Sequence, residues 1–311
     1  MRQTVRKNPA ECTGCGACVS ICPKQAITMQ PDAEGFLYPK VDGEKEELKR
    51  QVEELTAKLE ERERQAGGID DQAGREMPER PAHLFGAQAK DEALRGQSSS
   101  GGVFTLLARE VIRQGGVVFG AAFDETLHVE HIGAFDESEL SGMRGSKYVQ
   151  SDAADAIGNA VSLLKRDIPV LFSGTPCQIS GLMAALGGTK TDKLLTVDFV
   201  CHGVPSPGVF ASYLAELEKE RGSRVRAYAF RDKRLGWKNF SVVATFENGE
   251  THTGTQTTDP YLYGFLQNLY LRPSCHECGQ LRGKRDAADI TLADLWGAET
   301  ICPERDDDTG L

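Results

Sequence analysis

The spacing of apolar residues changes several times along the chain, and each change marks a different element. Leu48, Val52, Leu55 and Leu59 recur at intervals of four, three and four, with mostly Glu, Lys and Arg between them. That is an amphipathic helix in heptad phase over residues 43–66. Two heptads are too few for an independent coiled coil, so the stripe packs on the body or pairs with a second copy. Burying four such side chains is worth roughly 6–12 kcal/mol before ordering costs. Residues 67–97 are polar, carry Gly and Pro, and show no period, which reads as a linker.

From Gln97 onward the pattern alternates between the helical and strand periods. It predicts helices over 101–114, 153–166, 176–186, 207–220 and 260–271. It predicts strands over 117–123, 128–135, 169–172, 194–201, 225–230, 241–246 and 290–295, the first two forming a hairpin turned at Asp124-Glu125. Near the N-terminus, Lys24 to Met29 reads as a short helical turn running into a strand. No internal repeat is visible.

Composition narrows the class. At 311 residues and 40% hydrophobic content the chain is long enough for two domains with packed cores. The longest apolar run, near Val117 to Phe123, is far too short to span a bilayer. A formal net charge of −10 argues against a general nucleic-acid or anionic-membrane binder. Nine cysteines with no visible signal peptide point to a reducing, cytoplasmic setting in which thiolates bind metal rather than form disulfides.

Four of those cysteines form one cluster: Cys12, Cys15, Cys18 and Cys22, followed by Pro23. The spacing C-x2-C-x2-C-x3-C-P is the bacterial ferredoxin run that holds a 4Fe–4S cluster. Gly14 and Gly16 let the loop wrap tightly because glycine accepts positive φ. A zinc knuckle is the alternative, but zinc sites usually split into two C-x2-C pairs separated by a longer loop.

The remaining chemistry is scattered. Gln97-Ser98-Ser99-Ser100-Gly101-Gly102 precedes a helix, where free N–H groups suit a phosphate or equally make an ordinary helix start. Gly145 to Ser151 offers Ser146, Lys147 and Gln150 beside an aromatic ring, and on its own reads as a surface strand. Cys177 follows a Ser-Gly-Thr-Pro turn in a first helical turn, where the helix dipole favours thiolate. Cys201 ends a buried strand, with His202 next to it read as structural. Cys275 and Cys278 make a C-x2-C pair. Cys177, Cys201, Cys275 and Cys278 together complete a tetrathiolate, which suits zinc or an iron–sulfur cluster; the ferredoxin run tilts the choice to iron–sulfur. Cys302 is left over. The basic run from Arg224 to Lys238 contacts an anionic cofactor or partner, or is a solvated turn.

The strings SSSGGVFTLLA, GSKYVQSD, VLFSGTPCQISGL, DFVCHGVPSP, RDKRLGWKNFS, NLYLRPSCHEC and DITLADLWG resemble the coenzyme F-420 hydrogenase/dehydrogenase beta-subunit family, in order from about Ser98 to Trp296. The resemblance implies a flavoprotein, usually with FAD, that passes electrons between flavin, 4Fe–4S clusters and a substrate or partner. It places Ser99, Ser100, Gly101, Gly102, Ser146, Lys147 and Gln150 at the flavin and gives one cluster to Cys177, Cys201, Cys275 and Cys278. Two departures stand out. Relatives with this N-terminal run usually carry a second one, and in two-cluster ferredoxins the fourth cysteine of each run serves the other cluster. The fourth ligand for Cys12, Cys15 and Cys18 is therefore open between Cys22, the expected choice, and Cys302. Similar proteins also continue well beyond Leu311, so a truncated chain is expected.

The expected fold is α/β with mixed α+β character. Residues 1–40 are the ferredoxin-type segment and 41–96 the charged helix and linker. Residues 97–175 and 176–311 are the two parts of a mixed-sheet flavin and iron–sulfur body. The expected function is a flavin-dependent oxidoreductase exchanging electrons with a hydride carrier resembling coenzyme F-420, a redox partner protein or another small redox cofactor. No catalytic residue is identified. The alternatives are an electron-transfer subunit without a substrate of its own and a zinc-stabilised cysteine-rich binding protein.

Overall fold

The computed structural model describes residues 9–41, 83–188, 191–278, 288–305 and 308–310. The heptad helix expected over 43–66, and most of the linker after it, lie outside the described residues.

The N-terminal cysteine loop leads into a single helical turn, α1 (Ala17–Ser20), and then a hairpin of β1 (Ile27–Pro31) and β2 (Leu37–Val41). Gly14 and Gly16 take φ of 69° and 82°, the left-handed backbone the tight loop needs. The carboxylate of Asp32 accepts from the N–H groups of Glu34 and Phe36 and closes the hairpin turn. A short helix, α2 (Glu92–Gly96), interrupts the stretch read as linker, with Asp91 as its N-cap. Five residues are too few to display a helical period, which is why the pattern does not reveal it.

The alternating region builds one main sheet. Helix α3 (Val103–Arg113) leads into the antiparallel hairpin of β3 (Val117–Phe123) and β4 (Val129–Ala134). Helix α4 (Ala154–Leu164), strand β5 (Val170–Ser173), helix α5 (Pro176–Ala185) and strand β6 (Leu194–Phe199) follow, with β3, β5 and β6 parallel. Side chains alternate across the sheet. Val117, Phe119, Val170 and Phe172 pack with Ile157, Ala160, Ile179 and Leu182 of α4 and α5. Val118, Leu171 and Val197 face the other way, onto Ala108 and Val111 of α3 and onto Leu140 and Met143. Helices on both faces explain why Val170, Leu171 and Phe172 of β5 are all buried in succession.

A second sheet follows helix α6 (Pro207–Arg221): β7 (Val225–Asp232), β8 (Ser241–Phe246) and β9 (Thr251–Thr255), all antiparallel. Strand β9 reads Thr-His-Thr-Gly-Thr, an edge with no large apolar residue, so the hydrophobic pattern misses it. The sheet packs its Tyr228, Phe230, Val242 and Phe246 against Phe210 and Leu214 of α6 and Tyr261 and Phe265 of α7 (Pro260–Leu266). Helix α7 is shorter than the apolar pattern predicts. Asn268 takes a φ of 61°, which ends the helix, and Leu271 instead bridges to Pro205. Helix α8 (Pro273–His276) comes next, then β10 (Ile290–Leu292), which returns to the main sheet parallel to β6, and helix α9 (Ala298–Ile301). The main sheet therefore runs β10-β6-β5-β3-β4, and the protein is of the mixed α/β class. Among the described residues no helix is long and apolar enough to cross a membrane.

Candidate functional site

The turn between β5 and α5 is held by several side chains at once. Thr175 and Gln178 form a capping box, and Pro176 sits at the first helical position. The Gln178 amide donates to the Ser151 hydroxyl at 2.9 Å, and Ser151 lies 3.0 Å from His131 Nδ1. His131 Nε2 donates to the carbonyl of Ser173 at 2.9 Å. One nitrogen donating and one accepting is the neutral imidazole, and burial pushes the ring's pKa down to about 4. This chain of bonds fixes the loop that carries Cys177.

Cys177 is half-buried in the first turn of α5, its sulfur 3.1 Å from the Thr175 hydroxyl. The helix dipole was expected to favour its thiolate. Instead, burial drives the thiol up to about 12, overriding the dipole and the Thr175 contact, and the nearby Cys201, Cys15 and Cys275 add to the rise. Cys201, just past the end of β6, is likewise pushed up to about 12, first by burial and then by Cys275, Cys278 and Asp198, against a backbone bond from Gly203. Cys275 in α8 is raised by burial and by Cys278. Cys177, Cys201, Cys275 and Cys278 therefore lie within electrostatic reach of one another through these pairings, although about a hundred positions separate the first from the last. Gly203, at φ 130°, makes the approach feasible: a Cβ there would sit 2.8 Å from Leu271 and 3.5 Å from the Cys275 Cβ. A set of buried, neutral thiols crowded together releases its protons when a metal takes their place. Among the described residues, no three His, Cys, Asp or Glu side chains close around a single ion's position.

The N-terminal run docks onto the same region. Helix α1 packs across α4 and α5, and the Ser20 hydroxyl donates to the Ala154 carbonyl at 2.6 Å. Cys18 is pushed up by burial and then by Cys15 and Cys12. Cys22 is buried beside Ala26 and Ile27, and its sulfur accepts from the Ala26 N–H at 3.4 Å. Cys15 faces α5: a Cβ on Gly181 would lie 2.8 Å from its sulfur. Cys15 also acts on Cys177, so the two cysteine groups meet at this point. Cys302 caps the end of α9, half-buried. None of the nine cysteines is in a disulfide.

The residues expected at the flavin separate. Ser146 N–H donates to the Ser99 hydroxyl at 2.6 Å, and the two hydroxyls lie 3.0 Å apart. The Ser100 carbonyl accepts from Lys233 Nζ at 3.0 Å, and Lys233 also donates to Arg95 and Thr309 carbonyls. Ser99, Ser100 and Ser146 thus come together. Gly102 caps α3 at φ 79°, but the Gly101 carbonyl accepts from the Ala89 N–H at 2.7 Å, so chain 87–89 covers that side of the turn. Lys147 turns back on its own loop and donates to the Gly142 and Arg144 carbonyls at 2.8 and 2.9 Å. Burial lowers its pKa to about 7. Gln150 lies elsewhere: its Oε1 accepts from Leu37 N–H at 3.0 Å, beneath the cysteine loop.

Next to Ser146 is a group that shows in the sequence only as a charged run and two short strings. Burial raises the pKa of Tyr148, and the neighbouring Arg231 opposes that rise. Arg231 pairs with Asp294 at 2.5 Å and lies over Phe240 at 4.5 Å, with Trp237 and Trp296 at 5.7 and 5.9 Å. The two tryptophans stack at 4.5 Å, and Trp296 is half exposed. Among the described residues, the buried donors Arg231 Nε and Nη2 and Trp237 Nε1 have no hydrogen-bond partner. Orphaned donors beside an open aromatic face fit a planar ring that carries carbonyl or anionic groups. Arg231 and Asp294 lie 63 positions apart, so only the strings that carry them, RDKRLGWK and DITLADLWG, hinted at the pairing.

Two family models match this chain. The 4Fe-4S binding domain covers residues 5–28, and the C-terminal region of the coenzyme F-420 hydrogenase/dehydrogenase beta subunit covers residues 169–309. Residues 169–309, a little under half of the chain, are similar to the C-terminal region of that beta-subunit family. The chain is thus related to an iron–sulfur oxidoreductase family, with a 4Fe-4S binding domain matched ahead of that C-terminal region. No curated protein matches the sequence. Among solved structures, one chain of the F-420-reducing NiFe hydrogenase complex from Methanosarcina barkeri, studied with xenon, aligns at 18% identity and a TM-score of 0.42. That alignment covers 61% of this chain and 63% of the other, so the present chain spans less than two-thirds of that protein's length.

Proposed function

We propose that this protein is a flavin-dependent iron–sulfur oxidoreductase. It passes electrons between FAD, 4Fe–4S clusters and a hydride donor or acceptor resembling coenzyme F-420, or a redox partner protein. The reading rests on one observation above all: Cys177 lies within reach of Cys201, Cys275 and Cys15, so two cysteine groups meet at one point in the fold. Cys177, Cys201, Cys275 and Cys278 would hold one cluster. Cys12, Cys15, Cys18 and Cys22 would hold the second. Arg231, Trp237 and Trp296, beside Ser99 and Ser146, would receive the flavin ring. A flavin there converts two-electron hydride chemistry into the single electrons that clusters accept.

Anaerobic purification followed by an absorption spectrum, iron, acid-labile sulfide and flavin analysis tests this reading. A brown protein with iron, sulfide and FAD is expected. A colourless protein holding zinc and no flavin would replace it with the zinc-binding alternative. Cys201→Ser should lose part of the iron while the N-terminal cluster's signal persists. Reduction of the whole protein by a soluble hydride carrier would separate an enzyme from an electron-transfer subunit that needs a catalytic partner.

A further inference from the structure

Arg272 is fully buried, three positions before Cys275. Its Nε donates to the Cys12 carbonyl at 2.7 Å, and its Nη1 donates to the Leu37 carbonyl at 3.1 Å. The guanidinium lies 4.0 Å from the Tyr38 ring and 5.6 Å from Phe36, the rings that pack beside Cys12. Among the described residues its third nitrogen, Nη2, is buried without a partner, as is Gln150 Nε2. A Cβ on Gly14 would meet both side chains, the guanidinium at 2.8–2.9 Å. The cation also opposes, in small part, the rise that burial imposes on the Cys275 thiol, so it acts on both cysteine groups.

We propose that Arg272 is a positioning and potential-setting residue that joins the two cysteine groups. Its two hydrogen bonds fix the Cys12 loop on the body, and its fixed charge sits between the groups. The inference rests on the cluster reading above. One-electron reduction adds one negative charge to a tetrathiolate-held cluster; the electron comes from the flavin or, in the experiment, from a low-potential chemical reductant. A permanent cation beside that charge favours the reduced form, and two unpartnered buried donors facing the loop add to the effect. Burial makes the interaction strong and nearly independent of salt.

The experiment is a mediated reductive titration of the intact protein, followed by electron paramagnetic resonance, with iron counted in each sample. Arg272→Gln should lower the midpoint potential by at least a tenfold change in the oxidised-to-reduced ratio, about 59 mV for one electron. Arg272→Lys keeps the charge but not the paired geometry, so it should lose iron from the N-terminal site while the remaining clusters keep the parent potential. Gln150→Glu keeps Arg272 and sets a carboxylate against the guanidinium, so it should lower the potential as Arg272→Gln does. If Arg272→Gln fails to fold, Gln150→Glu decides alone. Parent potentials in variants with full iron would overturn the proposal and leave the cluster reading intact. A parent without iron would sink the cluster reading itself.

Discussion

Gly181 offers a direct test of how firmly Cys15 is held. In helix α5 a Cβ at this position would come within 2.8 Å of the Cys15 sulfur and 3.0 Å of its Cβ. Gly181→Ala therefore produces two opposed effects. Replacing glycine inside a helix stabilises it by about 1 kcal/mol in any state of the protein. Overpacking costs about 1–3 kcal/mol if the neighbour cannot move. Without metal, the Cys15 sulfur can swing to another rotamer, which leaves only the 3.0 Å Cβ contact to be relieved by a small shift. A Cys15 bound to a cluster cannot. The metal-free chain should therefore melt slightly higher than its parent, because the helix gain wins. The loaded protein should retain iron less well. A strain of about 1–3 kcal/mol in the loaded state alone corresponds to about 5- to 150-fold weaker retention against a competing chelator. The assay combines thermal melts of the metal-free chain with a chelator titration of the loaded protein, for parent, Gly181→Ala, Cys15→Ser and the double variant. Cys15→Ser removes the ligand itself, so adding Gly181→Ala to it should cost little further retention. Equal retention in parent and Gly181→Ala, with both forms melting higher, would refute the reasoning: Cys15 would then be a mobile thiol and its meeting with Cys177 incidental.

Three further outcomes follow from the geometry. Arg231→Met should lower flavin content on gel filtration while iron stays at the parent level, because the cation beside Trp237 and Trp296 is lost but the cysteine groups are untouched; unchanged flavin would move the ring elsewhere. The same change leaves Asp294 without its partner, and breaking a largely buried pair of this kind costs roughly 3–5 kcal/mol, so its melting temperature should fall. His131 is neutral in the folded protein with a pKa near 4, whereas the unfolded chain titrates near the ordinary value, so unfolding takes up a proton between about pH 4 and 6.5. Stability should then fall by about 3 kcal/mol as the pH drops through that window; denaturant midpoints at pH 7, 5 and 4 for parent and His131→Asn check this, and parallel pH slopes for the two would contradict it.

The sequence alone settled the cysteine run, the alternating α/β pattern, most helix and strand positions from α3 to β8, and the family strings. Each of these is written in local spacing: gaps between cysteines, the helical period, or short apolar runs such as Val170-Leu171-Phe172 of β5. Elements without such a period, α2 and the polar edge strand β9, left no mark. Tertiary structure alone decided which distant residues meet. The proximity of Cys177 to Cys15, Cys201 and Cys275 comes from β5, β6 and α8 ending near one another and from α1 docking on α5. Arg231 finds Asp294 because β10 returns beside β6 in the main sheet. Arg272 reaches Cys12 because the N-terminal loop lies over the body. Nor was the state of Cys177 legible in the sequence. A helix dipole can be read from the position of a turn, but burial, which reverses its effect here, depends on everything packed around the thiol.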